Sequence, residues 1–88
     1  MFQRNEYMDY DNKITGKVIR QLRLKKGLTQ DVLSGLAGIG RSHLTMIERG
    51  DKNANVETLW RISSALNIPL SELISMVESE ISKADAIE

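Results

Sequence analysis

Arg41, Ser42, Thr45, Met46 and Arg49 follow one another at the spacing that puts side chains on one side of a helix. Two are permanent cations, two are hydroxyls that donate and accept hydrogen bonds, and one is an unbranched thioether. That stripe suits recognition rather than turnover. A guanidinium fork matches phosphate oxygens or the O6 and N7 acceptors of guanine, and small polar or apolar tips meet other base edges. Leu44 and Ile47 occupy the opposite side. A short helix with an apolar back and a cationic, hydrogen-bonding front fits the major groove of double-stranded DNA.

Such a helix needs a frame. Thr29 is a good N-cap for a preceding helix running to about Ala37, with Val32, Leu33, Leu36 and Ala37 at helical spacing. Ser34 and Gly35 are small, which suits a close helix crossing. Gly38, Ile39 and Gly40 break the pattern, and Gly50 ends the next helix, predicted over Arg41 to Arg49. Two short helices joined by a glycine-containing turn form a helix-turn-helix. Gly40 falls at the cap position, where Ser or Thr caps better. Gln30 opens the first of the two helices, where its side chain and the free amides of the first turn can reach a phosphate. Lys52 and Asn53, in the polar loop Asp51 to Asn55, stand where a DNA backbone would pass. Asn55 either joins them or caps the helix that follows. His43 is the sole histidine and the chain has no cysteine, so no metal set is present. It reads as a partly exposed helix residue near a phosphate.

Three further helices complete the pattern. The first runs from about Lys13 to Lys26, capped by Asp11 or Asn12, with Val18, Ile19 and Leu22 as its stripe and Gly27 beyond its end. Gly16 inside it either permits close packing or marks a frayed start. The fourth spans Val56 to Leu66, with Val56, Leu59, Ile62 and Leu66 on its core side and Asn67 at its cap. Trp60 lies one step off that stripe, as a half-buried packing residue or as a contact for the last helix or a partner. The fifth begins near Pro69 and carries Leu70, Leu73, Ile74, Val77 and Ile81. That stripe is longer than a small bundle needs, so these five residues are expected to form a homodimer interface. The fold class is all-α, a compact five-helix bundle. Residues 1–12 read as an N-terminal arm, either a flexible leader or one whose Phe2, Tyr7 and Tyr10 cover an apolar patch. Residues 13–82 form the domain and 83–88 a polar tail.

Composition narrows the function classes. Eighty-eight residues make one domain. Net charge is zero, yet Lys13 to Lys52 holds nine Lys or Arg against Asp31, Glu48 and Asp51, a balance of +6. Ser71 to Glu88 holds Lys83 against five acids, a balance of −4. The positive part coincides with the helix pair. No apolar run approaches the roughly 18 residues that span a bilayer, and the start of the chain has no signal-peptide core, which points to a cytosolic protein with no membrane partner. The sequence holds no nucleophile–base arrangement, phosphate loop or metal set, so neither an enzyme nor a cofactor is expected.

Several separated motifs together carry a family resemblance: IRxLR at Ile19 to Arg23, GLTQ at Gly27 to Gln30, IERG at Ile47 to Gly50, and TLxxI at Thr58 to Ile62. From Thr15 to Ile74 the chain resembles the Xre/Cro helix-turn-helix family of phage repressors. The resemblance implies a lambda-repressor-like five-helix fold. It implies an internal salt bridge between Arg23 and Glu48, which turns that carboxylate away from phosphate. It implies a phosphate contact for Gln30, base-facing roles for Arg41, Ser42, Thr45 and Met46, and backbone contacts for Arg49, Lys52 and Asn53. Ser34 stands where the family usually has alanine and Gly40 where it usually has serine. Met46 stands where hydrogen-bonding residues are frequent. The short layout with a long last helix also resembles restriction–modification controller proteins, phage repressors and antitoxins of this fold.

The reading is a homodimeric regulator of transcription on a roughly palindromic operator, changing access of RNA polymerase to a promoter. The alternative is a protein-interaction module or antitoxin acting through the last helix.

Overall fold

The structure, a computed structural model, describes residues 9–86, the side chain of Ala86 excepted. Five helices and no strand occur among them: α1 (Asn12–Lys25), α2 (Gln30–Ala37), α3 (Arg41–Arg49), α4 (Val56–Ala65) and α5 (Leu70–Ala86). Phe2 and Tyr7 of the expected arm lie outside the described residues, while Tyr10 is exposed.

Three helix starts follow their local chemistry, while Gly40 gives α3 no side-chain cap. Asp11 caps α1 by accepting from the Lys13 amide at 2.9 Å, Thr29 caps α2 by accepting from Val32 at 3.1 Å, and Asn55 caps α4 by accepting from Thr58 at 2.8 Å. Asn55 is thus the cap of its two readings. Asn67 closes α4 in the left-handed region, φ 64°, and the Ile68 amide returns to the Ser63 carbonyl.

The core is one cluster drawn from all five helices: Val18 and Ile19, Leu33 and Ala37, Leu44 and Ile47, Leu59, Ile62 and Leu66, then Leu73, Val77 and Ile81. α1 packs on α3 and α5, and α2 packs on α3 and α4. At Gly16 the α1–α3 approach is so close that an added Cβ would collide with the carbonyl oxygens of Ile47 and Glu48. Gly16 therefore serves close packing and not a frayed start.

Four expectations need correction. Leu73, Val77 and Ile81 are buried by the chain's own helices, so they have no surface to give a second copy; of the five interface candidates, Leu70 and Ile74 remain partly exposed. Val56, placed in the core, is 67% exposed, and Leu36 and Val32 also face outward. In each case two neighbouring stripes fit the same period. In α2 the Leu33–Ala37 stripe, flanked by buried Ser34, goes inward and Val32–Leu36 stays out. Gly35 has no neighbour within 4 Å of a built Cβ, so it plays no part in a close crossing. Finally, α5 continues to Ala86, through residues read as a polar tail.

Candidate nucleic-acid interface

The turn between α2 and α3 is set by Gly38, in the left-handed region at φ 70°, and by the Ile39 amide donating to the Ser34 carbonyl at 3.0 Å. α3 then buries Leu44, Ile47 and Glu48 and turns Arg41, Ser42, Met46 and Arg49 to solvent, with Thr45 half-buried between the two sides. These four exposed residues, Thr45 and Gln30 line one shallow concavity. The structure therefore gathers the sequence candidates from two helices into a single face.

Beneath that face runs a polar chain. Arg23 Nε donates to Glu48 Oε2 at 2.7 Å and Nη2 donates to Glu48 Oε1 at 3.0 Å, with both side chains nearly excluded from water. Arg23 Nη1 also donates to the Leu28 carbonyl at 2.9 Å. The guanidinium holds its proton more tightly than usual, chiefly through the hydrogen bond to Glu48, with burial opposing. A raised folded-state value stabilises the fold at every pH below the unfolded value, so this contribution is constant across the neutral range. Glu48 Oε1 accepts a further bond from Gln30 Nε2 at 3.0 Å, and Gln30 Oε1 accepts from the Thr45 hydroxyl at 2.9 Å. The one carboxylate on α3 is thus turned inward and fully engaged.

The outer cations carry exposed counter-charges. Arg41 Nε lies 3.4 Å from Asp31 Oδ1, and Arg49 Nε lies 3.2 Å from Asp51 Oδ2. Solvent-exposed pairs of this kind are worth little and are screened by salt, so phosphate or a base edge can displace them. Lys52 and Asn53 are exposed in the loop after α3. The start of α1 is tied to that exit, because Asn12 Nδ2 donates to the Gly50 carbonyl at 2.7 Å. His43 is half-buried and does not line the concavity, which separates it from the other candidates on α3. Among the described residues no cluster of three or more His, Asp or Glu stands where it could hold a metal, and no helix is long and apolar enough to cross a membrane.

Sequence reasoning missed the Asp31–Arg41 pairing and the chain from Glu48 through Gln30 to Thr45. Both join separate helices. The one available signal is that Glu48 shares the inward stripe of α3 with Leu44 and Ile47, where a polar side chain requires partners.

Two short packed helices, a glycine turn and a cationic outer face define a helix-turn-helix domain. The helix-turn-helix family model HTH_3 matches residues 19–73, more than half of the chain, and the chain belongs to that family. It is similar to the HTH-type transcriptional regulator SutR of Escherichia coli, 36% identical over 61 residues, covering 69% of this chain and 34% of SutR. The chain thus spans about a third of that relative's length. It is similar to control protein C.MunI of a Mycoplasma species, 35% identical over 66 residues, covering 74% of this chain and 89% of C.MunI. Among solved structures, the restriction–modification controller protein C.AhdI from Aeromonas hydrophila superposes with a TM-score of 0.70 at 36% identity, covering 72% of this chain and 96% of that one. A variant of C.Esp1396I bound to its highest-affinity operator site gives 0.76 at 27% identity, covering 83% and 96%.

Proposed function

We propose that this protein is a sequence-specific DNA-binding regulator of transcription that acts as a homodimer, with α3 entering the major groove. The observation that carries the reading is the face of Arg41, Ser42, Thr45, Met46 and Arg49, held on a rigid frame whose one acidic neighbour on α3, Glu48, is neutralised from behind. The relatives named as transcriptional regulators, and the structural neighbour bound to an operator, support it. Arg41 reads a base, Arg49, Lys52 and Asn53 hold the backbone, and Gln30 keeps one amide N–H for a phosphate.

The dimer surface is the apolar groove between α4 and α5 formed by Trp60, Ile68, Pro69, Leu70 and Ile74. Trp60 is 61% exposed, and Leu70 and Ile74 are the two α5 positions of the stripe that the core does not enclose. An exposed apolar groove beside an exposed tryptophan offers room for an occupant, and two copies related by a twofold axis supply one. Two α3 helices then fall about one turn of DNA apart, roughly 34 Å, on a palindromic operator. Occupancy of that operator governs the access of RNA polymerase to a neighbouring promoter.

The test is selection from random duplex DNA with salt dependence measured on the winning sequence. A palindromic motif whose affinity falls steeply with salt supports the regulator. Folded protein that enriches no motif overturns it and moves the weight to a protein partner at the α4–α5 groove.

A further inference from the structure

We infer that Thr45 reads DNA as a hydrogen-bond acceptor only, recognising the exocyclic amino group of an adenine or cytosine. The inference rests on the DNA-reading role proposed above and deepens it.

Glu48, gripped through both oxygens by Arg23, is a carboxylate and can only accept. The Gln30 atom 3.0 Å from Glu48 Oε1 must therefore be the amide nitrogen. That fixes the amide orientation, which puts Gln30 Oε1 against Thr45. A carbonyl oxygen also only accepts, so Thr45 must donate to it. Among the described residues, the one other protein atom bonded to the Thr45 hydroxyl is the Arg41 carbonyl oxygen, at 3.0 Å, again an acceptor. Thr45 has a single hydroxyl proton, and both choices commit it to the protein.

What remains for a ligand is an oxygen lone pair on the floor of the concavity. Its neighbours there are the guanidiniums of Arg41 and Arg49, which only donate, the remaining amide N–H of Gln30, the Ser42 hydroxyl, and the Met46 thioether. Thr45 is the preset acceptor of a face otherwise dominated by donors. In the major groove the donors are adenine N6 and cytosine N4, whereas guanine and thymine present acceptors. A hydroxyl free to rotate accepts both classes; this one discriminates between them.

The experiment uses the full chain. Motifs are selected from random duplex DNA by the wild type, by Thr45→Val, which keeps the shape and loses the oxygen, and by Thr45→Ser, which keeps the oxygen. The base position at which Thr45→Val relaxes the preference marks the contact. There the adenine is replaced by purine, or the cytosine by 2-pyrimidinone, deleting the amino group. Wild type and Thr45→Ser then lose about fivefold in affinity, as for one ordinary hydrogen bond, and Thr45→Val loses nothing further. An equal loss in wild type and Thr45→Val, or an unchanged motif in folded Thr45→Val protein, overturns the inference while leaving the regulator standing. A wild type that enriches no motif overturns both.

Discussion

Arg23 and Glu48 meet as a two-point fork, 2.7 and 3.0 Å, across the junction of α1 and the end of α3. The pair is nearly dry, and it anchors both Leu28, before the helix-turn-helix, and Gln30, within it. Removing one partner leaves the other charged and buried. Glu48→Ala or Arg23→Ala is therefore expected to cost about 3–5 kcal/mol. Replacing both by apolar residues of similar size, as in Arg23→Met with Glu48→Leu, is expected to recover most of that loss. Urea unfolding of the three variants checks this, and a double variant as unstable as the sum of the singles contradicts it.

Gly16 and Gly35 both lie inside helices, and propensity alone favours alanine at each by about 0.8–1 kcal/mol. Their surroundings differ. A Cβ at Gly16 strikes the backbone carbonyl of Ile47 and comes within 2.7 Å of the Glu48 carbonyl oxygen, whereas one at Gly35 meets nothing within 4 Å. Gly16→Ala is expected to destabilise by about 1–3 kcal/mol, because backbone cannot yield as a flexible side chain does. Gly35→Ala is expected to stabilise by about 0.4–1 kcal/mol. Thermal melts of the two proteins should move in opposite directions.

These two glycines also show what the sequence conveys. Local signals were legible: Thr29, Asn55, Asn67 and Gly50 mark helix ends through hydrogen bonds or backbone angles that depend on one residue and its near neighbours. The shared side of Arg41, Ser42, Thr45, Met46 and Arg49 was legible too, since five residues at helical spacing on one short element line up, and the structure gathers them around one concavity. What was not legible depends on which stripe another helix covers. Leu73 and Ile74 are adjacent and both apolar, yet one is fully buried and the other is not, because successive helix positions point to different sides and only the first turns into the core. Val56 and Leu36 repeat that lesson. The Gln30–Glu48 bond joins residues 18 apart, and no periodicity reports such a meeting.

Arg41 is exposed, and its partner Asp31 is exposed as well. Arg41→Ala is therefore expected to leave the melting temperature nearly unchanged while removing about 1–3 kcal/mol of base discrimination. Asp31→Asn frees the guanidinium and removes a negative charge beside the interface, so it is expected to tighten binding at low salt and lose that advantage at high salt. Fluorescence titrations of the selected duplex at two salt concentrations, with circular dichroism melts, test both. Full base preference in Arg41→Ala would remove Arg41 from the reading role.

The proposed dimer turns on the difference between the two sides of α5. Leu73 and Val77 are enclosed by the chain's own core, while Trp60 and Ile74 border the α4–α5 groove. A charge at Leu73 or Val77 has no route to water, so Leu73→Asp and Val77→Asp are expected to unfold the protein and not merely separate its copies. At Ile74 the same charge remains solvated in a monomer and is buried only on association. Ile74→Asp is expected to give a folded monomer, and Trp60→Ala to weaken association by about 2 kcal/mol or more, as central aromatic residues of interfaces do. The monomer should also bind a half-site far more weakly than the dimer binds the full operator. Sedimentation equilibrium combined with circular dichroism separates these outcomes. A folded, still dimeric Ile74→Asp protein would place the interface elsewhere on the surface, and a folded monomer from Leu73→Asp would return it to the inner stripe of α5.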